Sequence, residues 1–102
     1  MLERDLSICI VTLQARDYLK DCLNSIAEST SQLMYETIVV DQNSQDGTAD
    51  MLQDEFPAVK LIQTAENQGF TRPMNQAMQI AEGRYIALLN PDTLLHPAAF
   101  DI

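Results

Sequence analysis

Basic side chains are scarce in this chain: six Lys and Arg stand against fifteen Asp and Glu, a formal charge of −9 over 102 residues. A nucleic-acid surface needs clustered cations to displace counterions from phosphates, so six scattered ones exclude that class of partner. Cysteine is rarer still. Cys9 lies in a strand-like run and Cys22 in a helix-like run, and two cysteines without close spacing make neither a zinc site nor a disulfide framework. They read as buried, reduced thiols. No stretch approaches the ~18 uninterrupted apolar residues needed to cross a bilayer. The opening "MLERDLSICIV" carries acids and no small-residue cleavage site after its apolar run, unlike a secretory signal. These absences predict a cytoplasmic protein, or one at the inner membrane face where a further segment supplies an anchor. Glycine occurs only three times, and the first turn, "TLQARD", has none. The G-x-G-x-x-G that lets a backbone approach a pyrophosphate is therefore missing, which excludes the usual NAD site.

What is present is an ordinary globular mixture, 46% apolar and 21% charged, long enough for one core. Four short runs rich in Ile, Val and Leu, "LSICIVTL" (6–13), "ETIVVD" (36–41), "VKLIQT" (59–64) and "RYIALLN" (84–90), predict strands buried on both faces. Helical spacing fills the intervals. Tyr18, Leu19, Cys22, Leu23 and Ile26 make one apolar face; Ala49, Leu52 and Phe56 a second; Met74, Ala77, Met78 and Ala81 a third. Asp46 and Thr71 are the expected N-caps of the second and third helices, Pro73 is tolerable in a first turn, and Gly83 is the expected left-handed stop. Such alternation predicts an α/β fold with a mainly parallel sheet and right-handed crossovers. Ligands bind outside the carboxyl ends of the strands in such sheets, so the residues there carry the functional expectation.

At those ends stand Thr12 after the first strand, Asp41 and Ser44 in "VVDQNSQDGT" after the second, and Asn90 and Asp92 in "LLNPDT" after the fourth. A carboxylate at the end of a second strand can accept two hydrogen bonds from a ribose diol. The alternative is a turn in which Asp41, Asn43, Ser44, Asp46 and Gly47 only cap a helix. Arg72, at the opening of the third helix in "ENQGFTRPMNQAM", offers a planar cation beside unpaired N–H groups, a setting suited to phosphate oxygens. It can equally be a solvated first-turn residue. Pro91 fixes the backbone between Asn90 and Asp92, whose oxygens could share a hard cation with a diphosphate, though Asn-Pro-Asp can also be a turn and nothing more. A phosphoacceptor domain is excluded, because its acidic pair after the first strand and its Asp after the third are replaced by Thr12 and "IQT".

Taken together, "SICIVTL", "ETIVVDQNSQDGTADML", "ENQGFTRPMNQAM" and "GRYIALLNPDTLLHP" resemble, in order and spacing and over nearly the whole chain, the family 2 glycosyltransferases of GT-A fold. It resembles in particular bacterial polysaccharide-assembly enzymes, including rhamnosyltransferase-like members with "NPDT" in place of Asp-x-Asp. It implies a three-layer α/β/α, Rossmann-like architecture and inverting transfer of a sugar from a UDP- or dTDP-linked donor to a glycan or lipid-linked acceptor. It also implies nucleotide-sugar contacts by Thr12, Asp41, Ser44, Arg72 and Asn90, and a Mn or Mg ion on Asp92. A noncatalytic nucleotide-sugar-binding or assembly module is the alternative. Three positions depart from the family pattern: Gln42 stands where Asn is usual, Asn90 replaces the first acid of the metal motif, and Pro73 occupies a helix start that often holds small residues. His96 reads as a surface residue near a final helix opening at "HPAAFDI". The family's general base falls beyond residue 102, so the chain reads as a donor-binding half whose apolar sheet edge would favour self-association.

Overall fold

The structure, a computed structural model, describes residues 5–29 and 34–95; His96 and the expected final helix lie outside them. The elements run β1 (Leu6–Thr12), α1 (Arg16–Ser29), β2 (Tyr35–Asp41), α2 (Thr48–Glu55), β3 (Lys60–Gln63), α3 (Thr71–Ile80) and β4 (Tyr85–Leu89). All three pairings are parallel, in the order β3-β2-β1-β4. The expected α/β architecture is therefore present, and the order reverses between β1 and β4. Crossovers of one hand then put the last helix on the opposite face from the first two.

Side-chain alternation along β1 follows that division. Leu6, Ile8 and Ile10 pack with Val39 of β2 against Leu19, Cys22, Leu23 and Ile26 of α1 and Met51 and Leu52 of α2. Cys9 and Val11 pack with Ile38 and Val40 against Met74 and Ala77 of α3. β1 is buried throughout, and β2 at all but Tyr35. The expectation of four strands buried on both faces fails for the other two: β3 is at most half-buried, and Ile86 and Leu88 of β4 are 43% and 49% exposed. Both are edge strands, and α3 covers β1 and β2 rather than β4.

Several local expectations need correction. Tyr18 is 66% exposed and stands off the apolar face of α1. Leu13 lies past the end of β1 and is exposed. Gly47, at φ 85°, is the N-cap of α2, since its carbonyl takes the first helical bond from Met51; Asp46 accepts the Thr48 N–H from one residue further out. Phe70, not Thr71, caps α3, because its carbonyl accepts the N–H of Met74. Gly83 is not left-handed. Its lack of a side chain serves close approach: a Cβ there would lie 2.5 Å from the backbone N of Ser7.

That approach belongs to a polar knot at the amino ends of the strands. Glu36, buried at the start of β2, accepts the Ser7 hydroxyl at 2.5 Å, the Glu82 N–H at 2.6 Å and the Lys60 ammonium at 2.8 Å. Ser7 Oγ in turn accepts the Gly83 N–H at 2.8 Å. Burial by itself would raise the Glu36 pKa, but the bonds from Lys60, Ser7 and Glu82, with the charge of Lys60, hold it down to about 2.

Candidate functional site

The carboxyl ends of β1 and β2 finish in register, Thr12 beside Asp41, and alternation directs both to the face covered by α1 and α2. Each is 1% exposed. Asp41 Oδ1 accepts the Ser44 hydroxyl at 2.5 Å and the Ser44 N–H at 3.3 Å. Its Oδ2 and the hydroxyl of Thr12 are buried without a hydrogen-bond partner. A buried polar atom left unsatisfied costs about 1–3 kcal/mol, and native chains tolerate few of them. Two on neighbouring strand ends mark a place where the fold holds back hydrogen-bonding capacity.

The loops beyond these strands are joined to one another. Gln14 N–H donates to Ser44 Oγ at 2.8 Å, Arg16 N–H to Asp46 Oδ2 at 3.0 Å, and Gln45 N–H to Gln14 Oε1. Burial opposes ionisation of Asp46, but hydrogen bonds from the Thr48 hydroxyl and the Arg16 and Thr48 amides outweigh it and lower the pKa. Gln14 and Asn43 adopt positive φ, 52° and 61°. Asn accepts that conformation readily, whereas Gln does so at a cost of roughly 1 kcal/mol. The glycine-free first turn thus reaches the left-handed region anyway, and the paired loops hold it there.

On the other side of β1, the 90–95 segment rests on α1. The Asn90 carbonyl accepts the Cys22 thiol at 3.9 Å, and Ser25 Oγ accepts the Leu95 N–H at 3.0 Å. Burial, then the nearby Asp92 carboxylate, push the Cys22 thiol up to about 11. Asn90 and Asp92 are themselves exposed. They flank, with Thr12, the β1/β4 reversal where ligands enter open sheets.

Arg72 is placed elsewhere. It is exposed on α3, on the opposite face of the sheet from Asp41, in a polar groove with Gln68, Asn75, Gln76 and Gln79. No hydrogen bond or ion pair joins it to the other site residues among those described. The fold thus brings together Thr12, Asp41 and Ser44, sets Asn90 and Asp92 across β1, and leaves Arg72 on the opposite face of the sheet from Asp41. Sequence reasoning overlooked the loop fasteners Gln14 and Arg16 and the supports Cys22 and Ser25. A polar residue within two positions of a strand end was the available signal for Gln14 alone.

Residues 7–101 match Glycosyl transferase family 2. The putative teichuronic acid biosynthesis glycosyltransferase TuaG of Bacillus subtilis is 36% identical over 91 residues, covering 84% of this chain and 35% of that protein. A poly(ribitol-phosphate) beta-glucosyltransferase of Bacillus spizizenii is 33% identical over 92 residues, 85% of this chain and 14% of its own length. Among solved structures, S. aureus TarS in complex with UDP superposes with a TM-score of 0.79 at 25% identity, over 91% of this chain and 29% of that one. The mannosyltransferase PcManGT of Pyrobaculum calidifontis, in complex with GDP-Man and Mn2+, gives 0.79 at 22% identity, over 92% and 29%. The chain therefore spans about a third or less of the length of these relatives. No described helix is long and apolar enough to cross a membrane. With the sheet order and the family match over nearly all of its residues in agreement, the chain belongs to glycosyl transferase family 2 and has the α/β architecture of the GT-A fold.

Proposed function

We propose that this chain supplies the donor- and metal-binding part of an inverting glycosyltransferase that moves a sugar from a UDP- or dTDP-linked donor to a glycan or lipid-linked acceptor. The observation that carries the reading is the pair of unpartnered buried atoms, Thr12 Oγ1 and Asp41 Oδ2, side by side at the strand ends of a family 2 chain. A ribose or base offers the hydroxyl and N–H donors that a carboxylate lacks here, and Ser44 keeps the other oxygen of Asp41 fixed in direction. Arg72, at the start of α3, is assigned to the diphosphate.

Asp92 and Asn90 fit a divalent cation by chemistry: a carboxylate and an amide carbonyl are oxygen donors of the kind Mg and Mn take. Among the described residues no three His, Cys, Asp or Glu cluster anywhere, so a cation here would draw its other ligands from water and the donor's phosphates. Such an ion would neutralise charge on the departing nucleoside diphosphate. Asp92 holds one anionic oxygen ready at the turn, and Asn90, lacking the charge of a second acid, makes that hold depend more on the donor's phosphates. Acceptor and general base are not assigned to these residues. The open β4 edge, with Ile86 and Leu88 exposed, further supports association of the chain with itself.

Calorimetric titration of the 102-residue protein with UDP and dTDP, with and without manganese, tests the donor reading. Binding of ~1 μM to ~1 mM, strengthened by the metal, is expected. A folded sample that gives no heat with any nucleoside diphosphate overturns it.

A further inference from the structure

Two of the departures from the family pattern, Gln42 and Pro73, bear on one backbone carbonyl, that of Gly69. Gln42 follows Asp41 and, by alternation, faces the α3 side of the sheet, where it is 4% exposed. Both ends of its amide are used: Nε2 donates to the Gly69 carbonyl at 2.7 Å, and Oε1 accepts the Gln68 N–H at 2.6 Å. In an α-helix the N–H of residue i goes to the carbonyl of residue i−4. Met74 accordingly donates to Phe70 at 3.1 Å. The next bond back would run from residue 73 to Gly69, but Pro73 has no N–H to give. Gln42 supplies the donor that Pro73 lacks. Among the described residues it is also the one side chain outside the loop that hydrogen-bonds the backbone of residues 67–69; Gly69 N–H goes to Asn67 Oδ1, within the loop.

We propose that Gln42 is a positioning residue of the donor site: its amide completes the first turn of α3 in place of the N–H missing at Pro73, and so fixes Arg72 relative to Asp41. The inference rests on the donor reading given above. Asp41 and Arg72 lie on opposite faces of the sheet, and a ligand reaching both needs a rigid path between them. The backbone from Asp41 to Gln42, the amide clasp and the turn from Gly69 to Arg72 form one.

The test has two arms. The first is a double-mutant cycle on denaturant stability with Gln42→Met and Pro73→Ala in the whole chain. Q42M leaves the Gly69 carbonyl without a donor, whereas P73A provides an N–H for it. Loss of the Gln42 amide should therefore be less damaging in the P73A background, and additivity of the two changes overturns the coupling. The second arm compares uridine with UDP by calorimetry. Q42M should leave uridine affinity within about twofold while weakening UDP roughly tenfold, an estimate for one misplaced charge-assisted contact. Equal weakening of both ligands, or none, shows that Gln42 only maintains the fold. If Q42M does not fold, Q42M/P73A carries the second arm against P73A. A wild type that binds neither ligand removes the donor reading and this role with it, while the first arm still reports the clasp.

Discussion

Thr12 and Glu36 hold the two ends of the sheet in opposite ways, one with a hydroxyl left unpaired and the other with a carboxylate bonded by every neighbour. Thr12→Val removes an unsatisfied hydroxyl while keeping the side-chain shape, so the unliganded protein should be unchanged or up to about 1–2 kcal/mol more stable in urea. The same change should weaken nucleoside binding, and a variant that loses stability and binds normally would give the hydroxyl a structural role. Glu36 behaves differently. Its folded pKa of about 2 lies below the ordinary 4.5, so its stabilisation is complete above that ordinary value and fades as pH falls towards 2. At neutral pH it is worth at most about 3 kcal/mol. Urea titrations of the wild type should show that loss on acidification, and Glu36→Gln should flatten the slope. Asp92 is exposed, and Asp92→Ala should abolish metal-enhanced nucleotide binding with under about 1 kcal/mol of change in stability. Failure of that variant to fold would make Asp92 a structural turn residue. The strand-end residues were legible in the sequence because chain position alone puts them there. Gln42 was not, for its role depends on a carbonyl made vacant by a proline about thirty residues away.

Element by element, the periodicities found the seven helices and strands among the described residues, since a buried strand or an amphipathic helix must write its pattern into the chain. What they misjudged was the surroundings. "RYIALLN" is as apolar as a central strand, yet β4 stands at an edge, because sheet order is settled by crossover geometry and not by composition. By its place in the sequence Gly83 reads as a helix stop, but it is a spacer, a role visible only once β1 lies against it. Gly83→Ala forces a Cβ into the Ser7 backbone and strains the Glu36 knot, so it should destabilise by about 1–3 kcal/mol. Gly69→Ala gives a useful contrast: its Cβ would meet nothing within 4 Å, and the penalty there is that of φ +83° alone. Melting curves for the two variants distinguish crowding from backbone strain, and a Gly83→Ala variant as stable as the wild type would show that β1 can give way.

For the molecule as a whole, a charge of −9 opposes association while the apolar β4 edge favours it. Sedimentation should show self-association that grows with salt, as screening weakens the repulsion. Leu88→Lys, on the exposed face of β4, should reverse it, and a monomer at all salt concentrations would show that the edge is adequately protected. The same edge has a consequence in time. β1 lies at the centre of the sheet, but its partner on one side, paired as Leu6 with Tyr85, is made about 80 residues later. At synthesis rates of about 5–20 residues per second, one flank of this fully buried strand waits roughly 4–16 s for its partner. During that wait the nascent chain offers a neighbouring nascent chain the same open hydrogen-bonding row that β4 will later fill. The spacing of ribosomes on the message thus becomes a variable in the folding yield, and slower initiation should raise the soluble fraction.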